Sequence, residues 1–76
     1  MVDIWKYAGR GSVQVNLTDT YGKIYTGTVE NVEDAGENEE KEDGIVIYSK
    51  GKLIFFTASE VLKIEEINSV DQPTIS

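Results

Sequence analysis

Hydrophobic and polar residues alternate along the first half of the chain, which is the pattern of half-buried β-strands. Residues 12–17 alternate serine, glutamine and asparagine with two valines and a leucine, and a turn-type run of Thr-Asp-Thr-Tyr-Gly follows. Residues 23–32 then continue the β-type pattern as a long second strand. Gly27 lies in the middle of this strand, where a glycine is typical of a bulge or a sharp bend.

Three shorter β-type segments make up the second half of the chain. IVIYS at residues 45–49 and LIFFT at residues 53–57 are joined by Lys50-Gly51, which is typical of a tight hairpin connection. Both segments are apolar on both faces, so we expect both strands to be well covered. VLKIEEI at residues 61–67 is the last predicted strand.

A short helix is predicted before the first strand. Asp3 is a suitable N-cap for the apolar residues that follow it, and Gly9 and Gly11 are helix stop signals. We expect Trp5 to dock this helix on the body of the domain. Residues 68–76 are polar and contain the only proline, so a disordered tail is expected there.

The chain is short enough that its stability is a question. At 76 residues it forms one domain, predicted over residues 1–67, and it buries only about 60% of its unfolded surface. There is no cysteine or histidine, which removes disulfides and the usual zinc ligands as stabilising elements. Oligomerisation is the remaining common way to stabilise so small a domain. Five short, bent strands predict an all-β, partly open barrel of the SH3-like or OB type.

Three sequence segments resemble the Sm/LSm-like small β-barrel family, in a divergent form of the bacterial or phage type. They are DIWKYAGRG, then VQVNLTDTYGKIYTGTV with its Asp19, Gly22, Tyr25 and Gly27, and finally LIFFTASEVLKIEEI. The resemblance implies a five-stranded Sm-like barrel with a short N-terminal helix. It also implies a homo-oligomeric ring, in which the fourth strand pairs with the fifth strand of the next subunit. The residues expected at this oligomer edge are Leu53, Phe55, Val61 and Ile64.

The same resemblance implies weak binding of single-stranded RNA through two loops. The family usually has an Asp-x-aromatic-x-Asn pattern between strands two and three, where this chain has an acidic loop. It usually has Arg-Gly between strands four and five, where this chain has Thr-Ala-Ser at residues 57–59. The chain therefore departs from the family at both loops. The candidate contacts for RNA or another partner are Tyr21, Lys50, Lys52, Thr57 and Ser59.

Lysines and aromatic residues give only a weak signal for nucleic acid. Lys50, Lys52 and Lys63 could form a small positive patch, with Lys23 near it. Aromatic residues in strands are more often core or cross-strand partners than base-stacking platforms. Tyr21 is the exception, because its place in a turn predicts an exposed ring.

The negative charge is concentrated in the acidic loop, residues 33–43. Of the net charge of −7, the loop supplies −6 (seven acids and one lysine) and the remaining residues supply −1 (seven acids and six bases). Three functions are open for it besides a solvated, mobile loop: a surface for a basic protein partner, a calcium or magnesium site whose spacing is atypical, and exclusion of nucleic acid. The seven acids are Glu33, Asp34, Glu37, Glu39, Glu40, Glu42 and Asp43.

Chemistry and location are predicted mainly from what the sequence lacks. Without histidine or cysteine the chain lacks the commonest general base and the best nucleophile, so we expect no enzyme, no cofactor and no metal. The N-terminus is unlike a signal peptide, and the longest apolar run is too short to span a bilayer, which predicts a cytoplasmic protein without membrane partners. The predicted function is a non-enzymatic Sm-like binding or assembly module, with RNA as one ligand. The alternative is an acidic module that binds a basic protein.

Overall fold

The strands form one antiparallel sheet of five, in the order β4-β3-β2-β1-β5. The computed structural model describes residues 2–37 and 39–67, and the predicted disordered tail lies outside this range. Three short 3-10 helices accompany the sheet, at Ile4–Tyr7, Ala35–Glu37 and Ala58–Glu60. The strands are β1 Val13–Asp19, β2 Ile24–Glu33, β3 Gly44–Ser49, β4 Lys52–Thr57 and β5 Val61–Glu66. The predicted small all-β fold is confirmed.

The core lies on one face of the sheet, where alternate strand residues point inward. Val15 and Leu17 of β1 and Ile45 and Ile47 of β3 are completely buried. The alternation seen in the sequence therefore marks the inner face correctly in β1. None of the helices in the described part of the chain is long and apolar enough to cross a membrane.

The N-terminal helix is a single 3-10 turn that closes one side of the core. The Asp3 carboxylate accepts a hydrogen bond from the Trp5 backbone N–H at 3.1 Å, as the predicted cap requires. Ile4 and Tyr7 are the buried side chains, while Trp5 is 42% exposed. Trp5 ties the helix to the body of the domain, as expected, but it does so through its indole N–H, which donates to the Asp43 carboxylate, and not by burial in the core.

An ion pair fixes the segment that follows this helix to the last strand. The Arg10 guanidinium donates two hydrogen bonds to the Glu66 carboxylate, at 2.7 and 3.2 Å. This hydrogen bonding lowers the pKa of Glu66 below its usual value and raises the pKa of Arg10. Both side chains are about 40% exposed, so the pair positions the segment more than it stabilises the fold.

The β3–β4 hairpin is less covered than its apolar sequence predicts. Tyr48 and Leu53 are cross-strand partners on the outer face, and they are 47% and 66% exposed. The expectation that both strands are covered on both faces is therefore wrong for this part of the hairpin.

Val61 of β5 was expected at the oligomer edge, but it is only 5% exposed. Its side chain is a core residue, and β5 offers only its backbone at this position.

Gly27 allows a close approach between β2 and β3. A Cβ atom added at Gly27 would collide with the Tyr48 backbone oxygen and would lie 2.7 Å from Cγ2 of Ile47. The irregularity in the ladder lies a few residues later, because the β2–β3 register shifts between Val29 and Asn31. The glycine thus marks a crowded contact, and the bulge predicted there is displaced along the strand.

We predict that Gly27→Ala destabilises the domain by about 2–3 kcal/mol, because the new methyl group must push β3 away from β2. Urea unfolding followed by circular dichroism measures this change. Gly36→Ala is the matched control, since its Cβ would meet only the end of the flexible Asp34 side chain at 3.3 Å. Equal stability of Gly27→Ala and the wild type would contradict the crowded contact.

Candidate functional site

The acidic loop is folded back on the barrel through Asp43. The Asp43 carboxylate accepts hydrogen bonds from the Trp5 indole N–H and from the Ala35 backbone N–H, both at 2.9 Å. Its backbone oxygen accepts a third hydrogen bond from the Ala58 N–H at 2.7 Å. One residue therefore joins the N-terminal helix, the acidic loop and the connection between β4 and β5. The sequence analysis counted Asp43 among the surface acids and gave it no structural role.

A second acid ties the loop to the same connection. The Glu42 carboxylate accepts hydrogen bonds from the backbone N–H of Ser59 at 2.7 Å and from its hydroxyl at 3.0 Å. The two loops that the sequence analysis compared with RNA-binding loops are thus in direct contact. Of the candidate contacts there, Ser59 is exposed but engaged by Glu42, and Thr57 is 7% exposed. Thr57 is therefore wrong as a surface contact.

The sequence contains a local signature for the structure around Thr57. The backbone N–H of Thr57 donates to the Glu60 carboxylate at 3.0 Å, so Thr-Ala-Ser-Glu is the capping sequence of the 3-10 helix Ala58–Glu60. A threonine followed three residues later by a glutamate is a known signature of such a helix start. That signature was the signal that could have placed Thr57 inside the fold.

The acids of the loop divide into anchors and exposed groups. Asp34 accepts a hydrogen bond from the Gly36 N–H at 2.9 Å, and Glu33 is half-buried at the end of β2. Glu39 and Glu40 are exposed, and neither forms an ion pair within residues 2–37 and 39–67. Near its two ends the described part of the loop is therefore held by hydrogen bonds, whereas Glu39 and Glu40 face solvent.

Tyr21 lies beside two acidic residues, Asp19 and Glu60. Its side chain is 92% exposed in the β1–β2 turn, as the sequence predicted. It helps to line a shallow cavity of about 190 Å³ together with Asp19 and Glu60. The Asp19 carboxylate holds the turn, since it accepts hydrogen bonds from the backbone N–H groups of Tyr21 and Lys23. The surroundings of Tyr21 are therefore negative.

The candidate lysines lie elsewhere on the barrel. Lys50 and Lys52 line a cavity of about 290 Å³ together with Lys23. Lys63, which the sequence grouped with them, lies on β5, where its ammonium group is 3.8 Å from the Glu65 carboxylate. The structure thus separates the candidate contacts into a basic group and a group around the acidic loop.

The four residues predicted for an oligomer edge occupy the two edge strands of the sheet. Leu53 is exposed, Phe55 and Ile64 are half-buried, and Val61 is buried. In the described residues β4 and β5 each pair on one side only, so both strands keep an open edge.

Comparisons with known proteins give a fold and no family. No family model matches the chain, and no curated protein matches it. Among solved structures, the chain is similar to YaeO bound to magnesium from Vibrio cholerae O395, with a TM-score of 0.70. The identity is 19%, and the alignment covers 96% of this chain and 88% of that chain. At this identity the similarity supports the small β-fold alone.

We predict that Asp43→Ala lowers the free energy of unfolding by about 1–3 kcal/mol, because two N–H groups lose their acceptor. Trp5 is the only tryptophan, so its fluorescence reports the loss of the indole hydrogen bond as a shift in emission. Glu40→Ala in the same loop is the control and should change stability by less than about 0.5 kcal/mol. Unchanged emission and stability in Asp43→Ala would show that Asp43 does not join these segments.

Proposed function

We propose that this protein is a non-enzymatic binding module, an Sm-like barrel whose acidic surface binds a basic segment of another protein. The observation that carries the proposal is the anchoring of the acidic loop by Asp43 and Glu42. A loop that served only solubility would need no such anchors. Anchoring fixes the end of the loop beside the exposed carboxylates, which reduces the conformational entropy that a partner must remove on binding.

The acidic surface is wider than the loop itself. We define it as the exposed loop acids Glu39 and Glu40, together with Glu60 and the neighbouring Tyr21. Glu60 is exposed in the connection that Glu42 contacts, and it shares the shallow cavity with Tyr21. A lysine or arginine of a partner would find carboxylates for ion pairing and an exposed ring for a cation–π contact. Negative charge at the surface would also steer a basic partner toward it.

RNA binding at these loops receives less support. The Ser59 N–H and hydroxyl are both engaged by the Glu42 carboxylate, so they are occupied by a group with the same charge as a phosphate. Thr57 is buried, and Tyr21 lies beside Asp19 and Glu60. A phosphate backbone approaching this surface would meet repulsion at low salt.

Metal binding and catalysis are not part of the proposal. The similar YaeO structure contains magnesium, but within residues 2–37 and 39–67 of this chain no three acids are grouped so that they could hold a metal ion. The sequence has no histidine or cysteine for general-base or nucleophilic chemistry. The basic-partner proposal requires neither.

The proposal is tested by titrating a short arginine–glycine repeat peptide and, separately, an oligouridine into two variants. Glu39→Gln/Glu40→Gln should weaken peptide binding roughly threefold to tenfold at low salt, because two exposed ion pairs are lost. Glu30→Gln/Glu65→Gln is the matched control, since it removes the same charge from exposed sites on β2 and β5.

Equal peptide affinity in the two variants would remove the acidic loop from the proposal. Tighter oligouridine binding by the loop variant, without a peptide effect, would instead favour RNA as the ligand. Fluorescence anisotropy with labelled peptide and labelled oligouridine measures both affinities on one scale.

A second candidate function, self-assembly, is favoured by the two open sheet edges. β4 and β5 are the end strands of the sheet, and within residues 2–37 and 39–67 each has no strand partner on one side. Exposed leucines accompany both edges, with Leu53 of β4 66% exposed and Leu62 of β5 60% exposed. Pairing of β4 with β5 of a second copy would cover the edges and the leucines together, as the resemblance to Sm-like proteins implies.

We predict a native mass of several subunits by light scattering, and a reduction toward the monomer in Leu53→Glu, because a charge at the edge opposes strand pairing. Ile24→Glu is the control, since Ile24 is 62% exposed but lies outside both edge strands. A monomer at every salt concentration would remove self-assembly and leave the partner-binding proposal standing. Assembly only at high salt would show that repulsion between acidic loops limits it.

A further inference from the structure

The basic group of lysines surrounds an opening into the interior of the barrel. Tyr25, Ser49 and Ile54 line the cavity of about 290 Å³ from the inside, and Lys23, Lys50 and Lys52 lie around them. Tyr25, half-buried, packs edge-on against Phe56 of the core at 4.9 Å between ring centroids. We call this cavity the lysine cavity. The mouths of barrels are common places for ligand sites, and this volume lies just below the usual range of about 300–1,000 Å³.

No acid compensates the charge of these three lysines. No acidic residue lines the cavity, and none of the three lysines forms an ion pair within the described part of the chain. The chain has fourteen acids and only seven bases, so a place with three bases and no acid departs from its average composition. The Lys23 ammonium lies 5.0 Å from the centre of the Tyr25 ring, which holds it at the rim of the cavity.

The backbone at Lys50 is unusual for a lysine. Lys50 has a φ of 52° and Gly51 a φ of 82°, and Ser49 pairs with Lys52 across the turn. Two central residues with positive φ are the mark of a type I′ turn, in which asparagine, aspartate or glycine is strongly preferred at the first position. A lysine there stores local strain, and strained residues tend to occur at functional sites.

The acidic loop lies far enough away to leave this cavity attractive to anions. The loop joins the Gly44 end of β3, whereas the cavity is at the Ser49 end. A six-residue strand spans about 17 Å, roughly twice the screening length at physiological ionic strength. The repulsion from the loop carboxylates is therefore largely screened here, and the nearest acids are Asp19 and Glu60, which line a neighbouring cavity that shares Tyr25 with this one.

We propose that the lysine cavity binds a compact phosphate group, either of a nucleotide-type small molecule or of a nucleic acid strand. Three lysines that line one cavity suit an anion that carries several charges on neighbouring oxygens. Ile54 and the Tyr25 ring offer an apolar wall to whatever the phosphate is attached to. The inference does not rest on the acidic surface, although Tyr25 lines both this cavity and the neighbouring one that contains Tyr21 and Glu60.

Calorimetric titration of the full chain with inorganic tripolyphosphate tests the site. We expect saturable binding that weakens with salt, and at least about fivefold lower affinity in Lys50→Asn and in Lys52→Gln, since each removes one ammonium contact. Lys6→Gln/Lys63→Gln is the control: it removes two lysines from outside the cavity and should have a smaller effect than either cavity variant. No saturation with wild-type protein, or a larger effect in the control than in the cavity variants, would overturn the proposal.

Lys50→Asn also separates binding from folding. Asparagine suits the type I′ turn better than lysine, so this variant should unfold at higher urea concentration while binding tripolyphosphate less tightly. A variant that kept its affinity, despite the lost ammonium group, would overturn the role of Lys50. Loss of affinity in a protein that is at least as stable as the wild type would support it.

Two further titrations distinguish the sources of the phosphate. A nucleoside triphosphate that binds at least as tightly as tripolyphosphate would assign the cavity to small molecules. An oligothymidine that binds more tightly still, and that tripolyphosphate displaces, would assign it to a nucleic acid strand. Ligand binding that Lys50→Asn and Lys52→Gln both leave unchanged would exclude the cavity for either source.

Discussion

Burial of the inner face of one short sheet is the constraint on which the rest of this structure depends. The sheet must curl around its own apolar residues, because no second layer of comparable size covers them in the part of the chain that the structure describes. Curling requires β2 and β3 to approach closely, which Gly27 permits. It also requires a cover at one side, which Ile4 and Tyr7 provide. The open edges of β4 and β5 and the cavity near Ser49 are consequences of the same incomplete closure.

The acidic loop has two physical roles that are carried by different residues. The carboxylates of Asp43 and Glu42 accept hydrogen bonds from N–H and hydroxyl groups of the helix, the loop and the β4–β5 connection. Their charge is compensated by hydrogen bonds that hold three segments together. Glu39 and Glu40 remain exposed and keep their charge available to solvent or to a partner. The combination gives the barrel separate surfaces of opposite charge, one around the loop and one around the lysine cavity.

The strand pattern was predictable because alternation reports burial directly. β1 and β5 begin within one residue of the segments expected, and the Lys50-Gly51 turn lies where the sequence placed it. The exposed ring of Tyr21 was predictable for the same local reason. Features that depend on the curvature of the sheet were not predictable from the sequence. No local pattern shows that Trp5 turns outward, or that Lys23 rather than Lys63 joins Lys50 and Lys52, because these depend on how far the sheet bends.

The candidate site was only partly predictable from the sequence. The acids of the loop were evident from composition, whereas their division into anchors and exposed groups depends on contacts with Trp5 and Ser59, which are distant in sequence. The capping sequence ending in Glu60 was visible and could have placed Thr57 in the fold. The Thr-Ala-Ser-Glu sequence is therefore a more direct guide to this connection than the family resemblance.

The separation of anchoring acids from exposed ones has a consequence for evolution. Because Asp43 and Glu42 hold the end of the loop, substitutions at Glu39 and Glu40 cost the fold almost nothing. The tip is therefore free to drift, and selection for a new partner could act on it without compensating changes in the barrel. Related chains should then vary most at the tip while they retain the aspartate and the tryptophan that fix its base.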